Sequence, residues 1–590
     1  MSVLNAVFKP LSAIALVLSL SACQMTQNNP DQAFVSLSQQ VMAFRADIST
    51  SHIKSPDEPY LLPDMSPENL ASENQRRLAL LDKFDAIDKT RLSAENQINF
   101  AILRAQVQDK VDKYHFKHHY VPLLSESGFH TRMSFRIREH DFSTELGYQS
   151  LIAQIKQLPR YFAQQMDWMR KGMAIGLTQP QVVLKGFESS IEAYIAVDDV
   201  ERSPFYAPFK TNQAGMSDEA FAALQQQAKQ AIVNYANPAY QSYLDFFVNE
   251  YRPNAKQDIA WSSTPNGAEF YVNRAKHFTT TDMTPKQIHE LGLKEVARIR
   301  SEMNTIIEKL GFEGSFAEFV EFLRTDPQFY AQTPEELLKE ASFIAKQMDA
   351  KLPQLFHVST LPRVPYGVAP VPDSIAPKYT TGRYLGPSKD TDPGYYWVNT
   401  YALDKRPLYV LEALTLHEGV PGHHLQISMN DELAHLPEYR NEYISAFGEG
   451  WGLYAEYLGL EAGFYQDPYS NFGRLTYEMW RAARLVVDTG MHMFGWSREQ
   501  AMQFMQDNTA LSLHNVKTET DRYISWPGQA LSYKIGELTI RRLRAKAERA
   551  LGEKFEIRDF HREVLRNGSV PLFVLEAHIE EYIAQTLSQQ

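Results

Sequence analysis

The residue types that a catalytic metal site requires are concentrated in one short stretch of the chain. Residues 409–428 read YVLEALTLHEGVPGHHLQIS and contain His417, Glu418, His423 and His424. Imidazole nitrogens can hold a zinc ion, and a carboxylate beside them can take a proton from the water that the zinc activates. The common zinc-hydrolase signature is H-E-x-x-H on a helix, with its two histidines one turn apart. The stretch therefore predicts a metal centre, with Glu418 as the general base.

The spacing of these histidines departs from the common signature. Pro421 stands at the position of the usual second histidine, and His423 comes two residues later. In an unbroken helix, His424 would share the face of His417 but lie about 10 Å further along the axis. Pro421 removes a helical hydrogen bond and Gly422 tolerates unusual dihedral angles, which favours a two-residue bulge. Such a bulge would bring His423 beside His417, so both His423 and His424 remain alternatives for the second ligand.

A third ligand is expected on the next helical stretch. Residues 441–463 read NEYISAFGEGWGLYAEYLGLEAG, and three glycines, at positions 448, 450 and 452, surround Glu449. Each glycine weakens a helix by about 1 kcal/mol relative to alanine, but allows another backbone to approach closely. This pattern predicts that Glu449 packs against the first helix as a metal ligand. Glu456 and Glu461, further along, are expected on a solvated face.

Four segments carry a resemblance to a known family: HEGVPGHHLQ, GEGWGLYAE, RLVVDTGMH and PGQALSYKIGE. The chain resembles the bacterial family called domain of unknown function 885 over most of its length after the leader, most densely from about Tyr395 to Leu543. That family is similar to the gluzincin metallopeptidases, which are mostly helical enzymes. The resemblance implies one zinc ion bound by an H-E-x-x-H helix and by a glutamate on a following helix.

The resemblance also implies roles for single residues. Matching its Gly-His pair to Gly422 and His423 makes His423 the second ligand and Glu449 the third. A late tyrosine stabilises the oxyanion in gluzincins, and Tyr533 is the candidate here. Tyr523 is held in reserve, and Gln529 and Lys534 are weaker candidates.

Candidate substrate contacts lie on two further segments. A strand over Gly394–Tyr401 precedes the metal helix, and gluzincins pair an extended peptide with such an edge, which makes Asn399 a candidate contact. The alternative is an ordinary hairpin. Within residues 472–494, charged and polar side chains recur every three or four residues, so Arg484 and His492 are candidate substrate contacts and Asp488 could orient a ring. The alternative, an internal ladder of ion pairs, is preferred for Arg481.

The elements that must position these residues are mainly helical. Apolar residues recur at helical spacing over Phe34–Ile48, Glu68–Ile87, Glu95–Tyr114, Tyr148–Met173, Glu219–Val248 and Pro285–Leu310. Frequent prolines exclude helices from most of residues 353–407, where strands are expected at Arg363–Val368 and Gly394–Tyr401. We therefore expect a mainly α, two-lobed, metallopeptidase-like fold with a small β-sheet beside the metal helix. Residues 34–260 would form an N-terminal helical lobe and residues 261–590 the catalytic lobe.

The first residues predict export. Residues 1–23 have the length and apolarity of a signal peptide and end in Leu20-Ser21-Ala22-Cys23, which resembles a bacterial lipobox. Cys23 is the only cysteine, so lipidation of Cys23 accounts for it better than a disulfide. Residues 24–33 are polar and predict a tether. The expectation is an exported lipoprotein at the outer membrane, facing the periplasm, that meets the membrane only through its lipid anchor.

Composition limits the partners. The net charge of −12 argues against nucleic acid as a binding partner.

The sequence predicts a zinc-dependent peptidase that hydrolyses periplasmic peptides. The alternative is a catalytically degenerate lipoprotein that binds peptides or envelope partners on a metallopeptidase scaffold. Oligomeric state, substrate length and end preference are left open.

Overall fold

The computed structural model of the chain describes residues 29–48, 62–196, 198–373, 376, 379–387, 392–433 and 435–588. The predicted signal peptide, residues 1–23 with Cys23, and the first part of the predicted tether lie outside these ranges. Helix α1 begins at Pro30, so the last four residues of the predicted tether, 30–33, are helical.

The first half of the chain is helical, as its apolar spacing predicts. Side-chain oxygens of Ser66, Ser93 and Thr144 accept hydrogen bonds from the first turns of three of these helices, so local sequence sets where each begins. The helices are α1 (Pro30–Ile48), α2 (Pro67–Asp85), α3 (Ala94–His115), α4 (Arg132–Arg138), α5 (Glu145–Ala174), α6 (Glu188–Glu192), α7 (Asp218–Ala231) and α8 (Asn237–Phe246). Two π-helical segments, Ile232–Ala236 and Phe247–Tyr251, follow α7 and α8, so the predicted helix at Glu219–Val248 is one interrupted helical run.

Four more helices lead to the small sheet: α9 (Gly267–Thr279), α10 (Pro285–Lys309), α11 (Phe316–Thr325) and α12 (Pro334–Asp349), followed by the short α13 (Leu352–Leu355). The sheet contains β1 (Tyr366–Pro370), β2 (Gly382–Leu385) and β3 (Gly394–Val398) in the order β1-β3-β2. Strand β3 pairs with β1 in parallel and with β2 in antiparallel orientation. The strand expected at Gly394–Tyr401 is therefore central, and both of its main-chain edges are occupied.

The second half holds the helices of the candidate site: α14 (Leu411–Glu418), α15 (His423–Asp431), α16 (Ser445–Leu458), α17 (Pro468–Met493), α18 (Arg498–Asn508), α19 (Leu513–Ser525), α20 (Ser532–Leu551), α21 (Ile557–Leu565) and α22 (Leu572–Ser588). Close packing depends on glycines at two crossings. A Cβ on Gly292 of α10 would lie 2.7 Å from the Cβ of Leu485 on α17, and a Cβ on Gly450 of α16 would lie 2.5 Å from the Cα of Gly536 on α20. These crossings hold α16 and α17 in the interior of the molecule.

Buried charges tie three of these helices together. The Lys534 ammonium on α20 is fully buried and lies 3.3 Å from Glu295 on α10, 2.8 Å from Glu478 on α17 and 2.8 Å from Glu537. Lys534 is therefore an internal ion-pair partner and cannot contact substrate. Such a network is costly to break from one side, because the remaining charges stay buried.

The largest apolar core includes residues from both predicted lobes, from Leu62 to Ile583. This core crosses the predicted boundary at about residue 260, and the division into two lobes stays a prediction. Among the described residues, no helix is both long and apolar enough to cross a membrane.

Candidate metal centre

The histidine stretch forms two helices separated by a break. Helix α14 ends at Glu418 and α15 begins at His423. The expectation of a bulge within one continuous helix is thus wrong: the chain leaves helical geometry at Gly419 and re-enters it after Gly422. A Cβ on Gly422 would collide with the carbonyl oxygens of Leu416 and His417, so only glycine fits this close return of the chain.

The break brings His423 beside His417. Their ring centroids lie 4.7 Å apart and their planes are nearly perpendicular, at 86°. Glu449 completes the group: its Oε2 is 3.7 Å from Nε2 of His417 and 3.4 Å from Nε2 of His423. One ligand atom from each of the three residues lies within 4.8 Å of the others. The structure thus gathers the three predicted ligands around one point.

Glycines on α16 allow this approach. A Cβ on Gly452 would lie 2.7 Å from Cε1 of the His417 ring, so the imidazole rests directly on the helix backbone. Gly450 instead contacts α20, and a Cβ on Gly448 would overlap the ring of Tyr443. Of the three glycines, only Gly452 faces the first helix, whereas Gly450 packs against α20 and Gly448 against Tyr443.

Glu456 orients His417. Its Oε1 lies 2.8 Å from Nδ1 of His417, and Arg481 lies 3.4 Å from the same oxygen. Glu456 is only 1% exposed, so the expectation of a solvated face is wrong for Glu456, whereas Glu461 is exposed as expected. The reason is that α16 is enclosed by α14, α17 and α20, which leaves no polar side for Glu456. Arg481 forms an internal ion pair with Glu456, as predicted.

Two carboxylates set the protonation of the histidine ligand. Burial favours the neutral ring, but Glu449 and Glu456 outweigh it and raise the pKa of His417 to about 9. Burial likewise opposes ionisation of Glu449, yet the neighbouring His417 and His423 rings hold the pKa of Glu449 well below its usual range. The Nδ1 atom of His423 is buried and has no hydrogen-bond partner among the described residues. Two carboxylates therefore lie against His417, and one of them, Glu449, also faces His423.

His424 points away from this group. Its Nδ1 lies 3.0 Å from the Tyr384 hydroxyl, and its ring centroid lies 4.4 Å from that of Tyr366. Burial lowers the pKa of His424 to about 4, so the ring is neutral near pH 7. The alternative in which His424 shares the site with His417 does not match this arrangement.

Glu418 faces the sheet beside the ligands. Its Oε2 accepts a 2.8 Å hydrogen bond from the main-chain N–H of Tyr384 on β2. The strand next to Glu418 is therefore the edge strand β2. The expectation placed the later strand with Asn399 there, but that strand is the central one of the sheet.

Two tyrosines stand near Glu449. Tyr533, the predicted oxyanion residue, is partly exposed; burial and the charge of Glu449 raise its pKa. Tyr443 was missed by the sequence analysis, because no motif marks it. Tyr443 is 46% exposed, and its hydroxyl lies beside Gly448, the residue before Glu449. Tyr523, the reserve candidate, is fully buried, and its hydroxyl donates to Glu519 at 2.7 Å while accepting from Arg484.

The three predicted substrate contacts are buried and make hydrogen bonds within the protein. The Asn399 side chain is fully buried and bonds the main chain of residues 376, 379, 380 and 401, so it organises a loop. Both ring nitrogens of the fully buried His492 have partners, at the main chain of Trp261 and Tyr523. Arg484 is 3% exposed, and its Nε donates to Tyr523 at 2.8 Å. The prediction that Asn399 and His492 contact substrate is therefore wrong. The guanidinium of Arg484 is buried among its neighbours.

Comparisons with known proteins show the family of the chain and solved structures that are similar to it. No curated protein matches the sequence. A crystal structure titled "putative lipoprotein" from Colwellia psychrerythraea is 28% identical, covers 95% of this chain and 100% of its own, and has a TM-score of 0.85. A "putative lipoprotein of unknown function" from Shewanella oneidensis is 16% identical, covers 92% of this chain and 98% of its own, and shares the fold with a TM-score of 0.68. The family described as bacterial protein of unknown function (DUF885) matches residues 53–579, and the chain belongs to that family.

Proposed function

We propose that the protein is a zinc-dependent peptidase that hydrolyses peptide bonds with Glu418 as general base. The observation that carries this proposal is the convergence of His417, His423 and Glu449. Beside them lies the carboxylate of Glu418, which is not one of the three proposed ligands. Two imidazoles and one carboxylate form the donor set of several catalytic zinc sites. A scaffold that only bound metal would not need Glu418.

The spacing of the donors fits zinc. Zinc–nitrogen and zinc–oxygen bonds of about 2.0–2.1 Å at tetrahedral angles separate neighbouring ligand atoms by roughly 3.3–3.4 Å. Glu449 lies 3.4 and 3.7 Å from the two Nε2 atoms, which is close to this separation and long for a direct hydrogen bond. Because Nδ1 of His417 makes its hydrogen bond to the Glu456 carboxylate, Nε2 is left to act as a ligand.

The chain's own residues supply the remaining chemistry. A zinc ion held by His417, His423 and Glu449 would lower the pKa of water and polarise a carbonyl oxygen. Glu418, anchored by the Tyr384 N–H, accepts the proton of the attacking water and passes it to the leaving amine. The hydroxyls of Tyr533 and Tyr443 border Glu449, so either can donate a hydrogen bond to the developing oxyanion. The resemblance to gluzincins supports the same assignment of roles.

The proposal is tested by metal analysis of the purified protein together with digestion of a mixed peptide library. Glu418→Gln keeps the shape of the side chain but removes the base, so we expect retained zinc and a rate at least about a hundredfold lower. The matched control is Glu412→Gln, which changes a glutamate on the same helix, α14, that bonds Tyr465 and Ser470 away from the ligands. Zinc-loaded wild type without hydrolysis of any peptide would favour the degenerate binding lipoprotein instead.

We also propose that the protein is a lipoprotein anchored through Cys23 to the outer membrane and facing the periplasm. The lipobox-like sequence supports this, and so does the description of the two similar proteins as lipoproteins. Metabolic labelling with a fatty acid should mark the wild type but not Cys23→Ser. An unlabelled, fully soluble wild type would contradict the anchor.

A further inference from the structure

Two guanidinium groups share one carboxylate close to the metal centre. Arg522 donates to Glu519 through Nη2 at 2.9 Å and through Nε at 3.3 Å. Arg484 lies 3.2 Å from the same carboxylate. Burial opposes ionisation of Glu519, but the two arginines outweigh it and lower the pKa of Glu519 to about 2. Arg484 and Arg522 are here called the arginine pair. Together with the ionised Glu519 they carry one net positive charge.

The described residues supply no second carboxylate bonded to the arginine pair. Asp521, next to Arg522 in sequence, is bound by Arg498 at 2.6 and 3.0 Å. Asp488 bonds the Tyr271 hydroxyl and the Gly528 N–H instead. An uncompensated charge in a largely buried position is costly, and it is stabilised when an anion binds.

A short chain of contacts connects the arginine pair to the metal ligands. Nη1 of Arg522 donates to Gln529 at 2.7 Å, and Gln529 lies in the turn that leads directly into α20, where Tyr533 is the second residue. The ring of Tyr533 lies over Arg484, 4.3 Å from its guanidinium carbon. Tyr533 also precedes Gly536 by one helical turn, and Gly536 packs directly against Gly450, the neighbour of Glu449. One tyrosine side chain thus separates the positive charge from the metal ligands.

Arg522 is the member that a ligand can reach. Arg484 is 3% exposed and lies between the rings of Trp480 and Tyr533, each 4.3 Å from its guanidinium carbon. The Arg522 side chain is 14% exposed. Three of its five N–H groups bond Glu519 and Gln529, and the other two have no partner among the described residues. The carboxylate contact predicted for Arg484 therefore fits Arg522 better.

We propose that Arg522 binds the C-terminal carboxylate of a short peptide, so that the scissile bond lies one or two residues from that end. This inference rests on the proposed peptidase function for its cleavage position, but not for the binding itself. Guanidinium groups bind carboxylates through charge-assisted hydrogen bonds, and Arg522 is held in place by Glu519. An extended residue spans about 3.4 Å, so the last one or two residues can bridge a single tyrosine side chain.

The test measures binding separately from turnover. In the Glu418→Gln background, calorimetry would compare acetyl-trialanine with its C-terminal amide and with the amide of acetyl-Ala-Glu-Ala. Each peptide is tested with Arg522 intact, with Arg522→Gln and with Arg498→Gln. Arg498 is the matched control, because it also binds a carboxylate through two bonds and its side chain is also 14% exposed.

We expect the free acid to bind at least about tenfold more tightly than its amide, with this preference lost in Arg522→Gln and kept in Arg498→Gln. Equal binding of acid and amide, a preference that survives Arg522→Gln, or no binding of any peptide would each overturn the inference. Arg522-dependent binding of the glutamate-containing amide would show that the site takes a side-chain carboxylate, which contradicts the C-terminal assignment. Arg522-dependent binding of the acid by a wild type that hydrolyses no peptide would retain this inference and reject the peptidase.

Discussion

Nδ1 of His417 lies 2.8 Å from Oε1 of Glu456, and both side chains are buried. A metal-binding histidine usually donates its second ring N–H to a carboxylate or carbonyl, which fixes the ring and makes it a stronger ligand. Glu456 therefore positions His417 and is not itself one of the three proposed metal ligands.

Glu456→Gln keeps an acceptor for Nδ1 but removes the negative charge, so we expect zinc affinity to fall by about 10- to 100-fold. Competition with a chromophoric chelator measures the Kd. Glu461→Gln is the control, since Glu461 pairs with Arg544 and its side chain is 32% exposed. An unchanged Kd in Glu456→Gln would show that the carboxylate plays no part in metal binding.

Gly452→Ala tests the contact between α16 and the His417 ring. The added Cβ would lie 2.7 Å from Cε1, and the ring can yield only by moving relative to Glu449. We expect weaker zinc binding and a loss of unfolding free energy of about 1–3 kcal/mol, as for other overpacked sites. In the control, Gly386→Ala, the Cβ has no neighbour within 4 Å, and both properties should stay unchanged. Wild-type zinc affinity in Gly452→Ala would contradict the tight packing.

Asp488→Asn tests a buried carboxyl on α17. Burial raises the pKa of Asp488 to about 7, against the opposing hydrogen bonds from Tyr271 and Gly528, whereas an unfolded aspartate has a pKa of about 3.9. Between these values the folded state binds more protons than the unfolded state, so this group costs stability as pH rises from about 4 to about 7. The asparagine variant never ionises and lacks that cost.

Urea unfolding of both proteins at pH 5 and pH 8, in the presence of chelator, measures the effect. The stability of wild type relative to Asp488→Asn should decrease by an amount on the order of a few kcal/mol between the two pH values. Parallel pH dependences would show that Asp488 ionises normally.

Much of the fold follows from local sequence signals. Pro285 and Thr284 set the start of α10 as predicted, because a capping side chain and an N-terminal proline act within one turn. The interruptions at Ile232–Ala236 and Phe247–Tyr251 were not predictable, since the apolar spacing continues through them. The break after Glu418 was anticipated only as a bulge, because Pro421 and Gly422 indicate a disturbed helix without fixing its path.

The candidate site divides in the same way. Residue types and spacing pointed to His417 and Glu449 and left His423 and His424 as alternatives, between which the family resemblance favoured His423. The structure brings His417, His423 and Glu449 together. Glu456 and Asn399 were misjudged because burial on every side of α16, and pairing on both edges of β3, depend on distant segments. Tyr443 and Arg522 were missed because neither belongs to a motif, and only the tertiary fold places them beside Glu449 and Tyr533.

Metal content of the histidine variants tests the central claim most directly. His423→Ala, His417→Ala and Glu449→Ala should each lose zinc, as measured by elemental analysis after dialysis, because each removes one of three converging ligands. His424→Ala should keep its zinc, because His424 is bonded to Tyr384 and faces away from the group. Full zinc content in His423→Ala together with loss in His424→Ala would contradict the account.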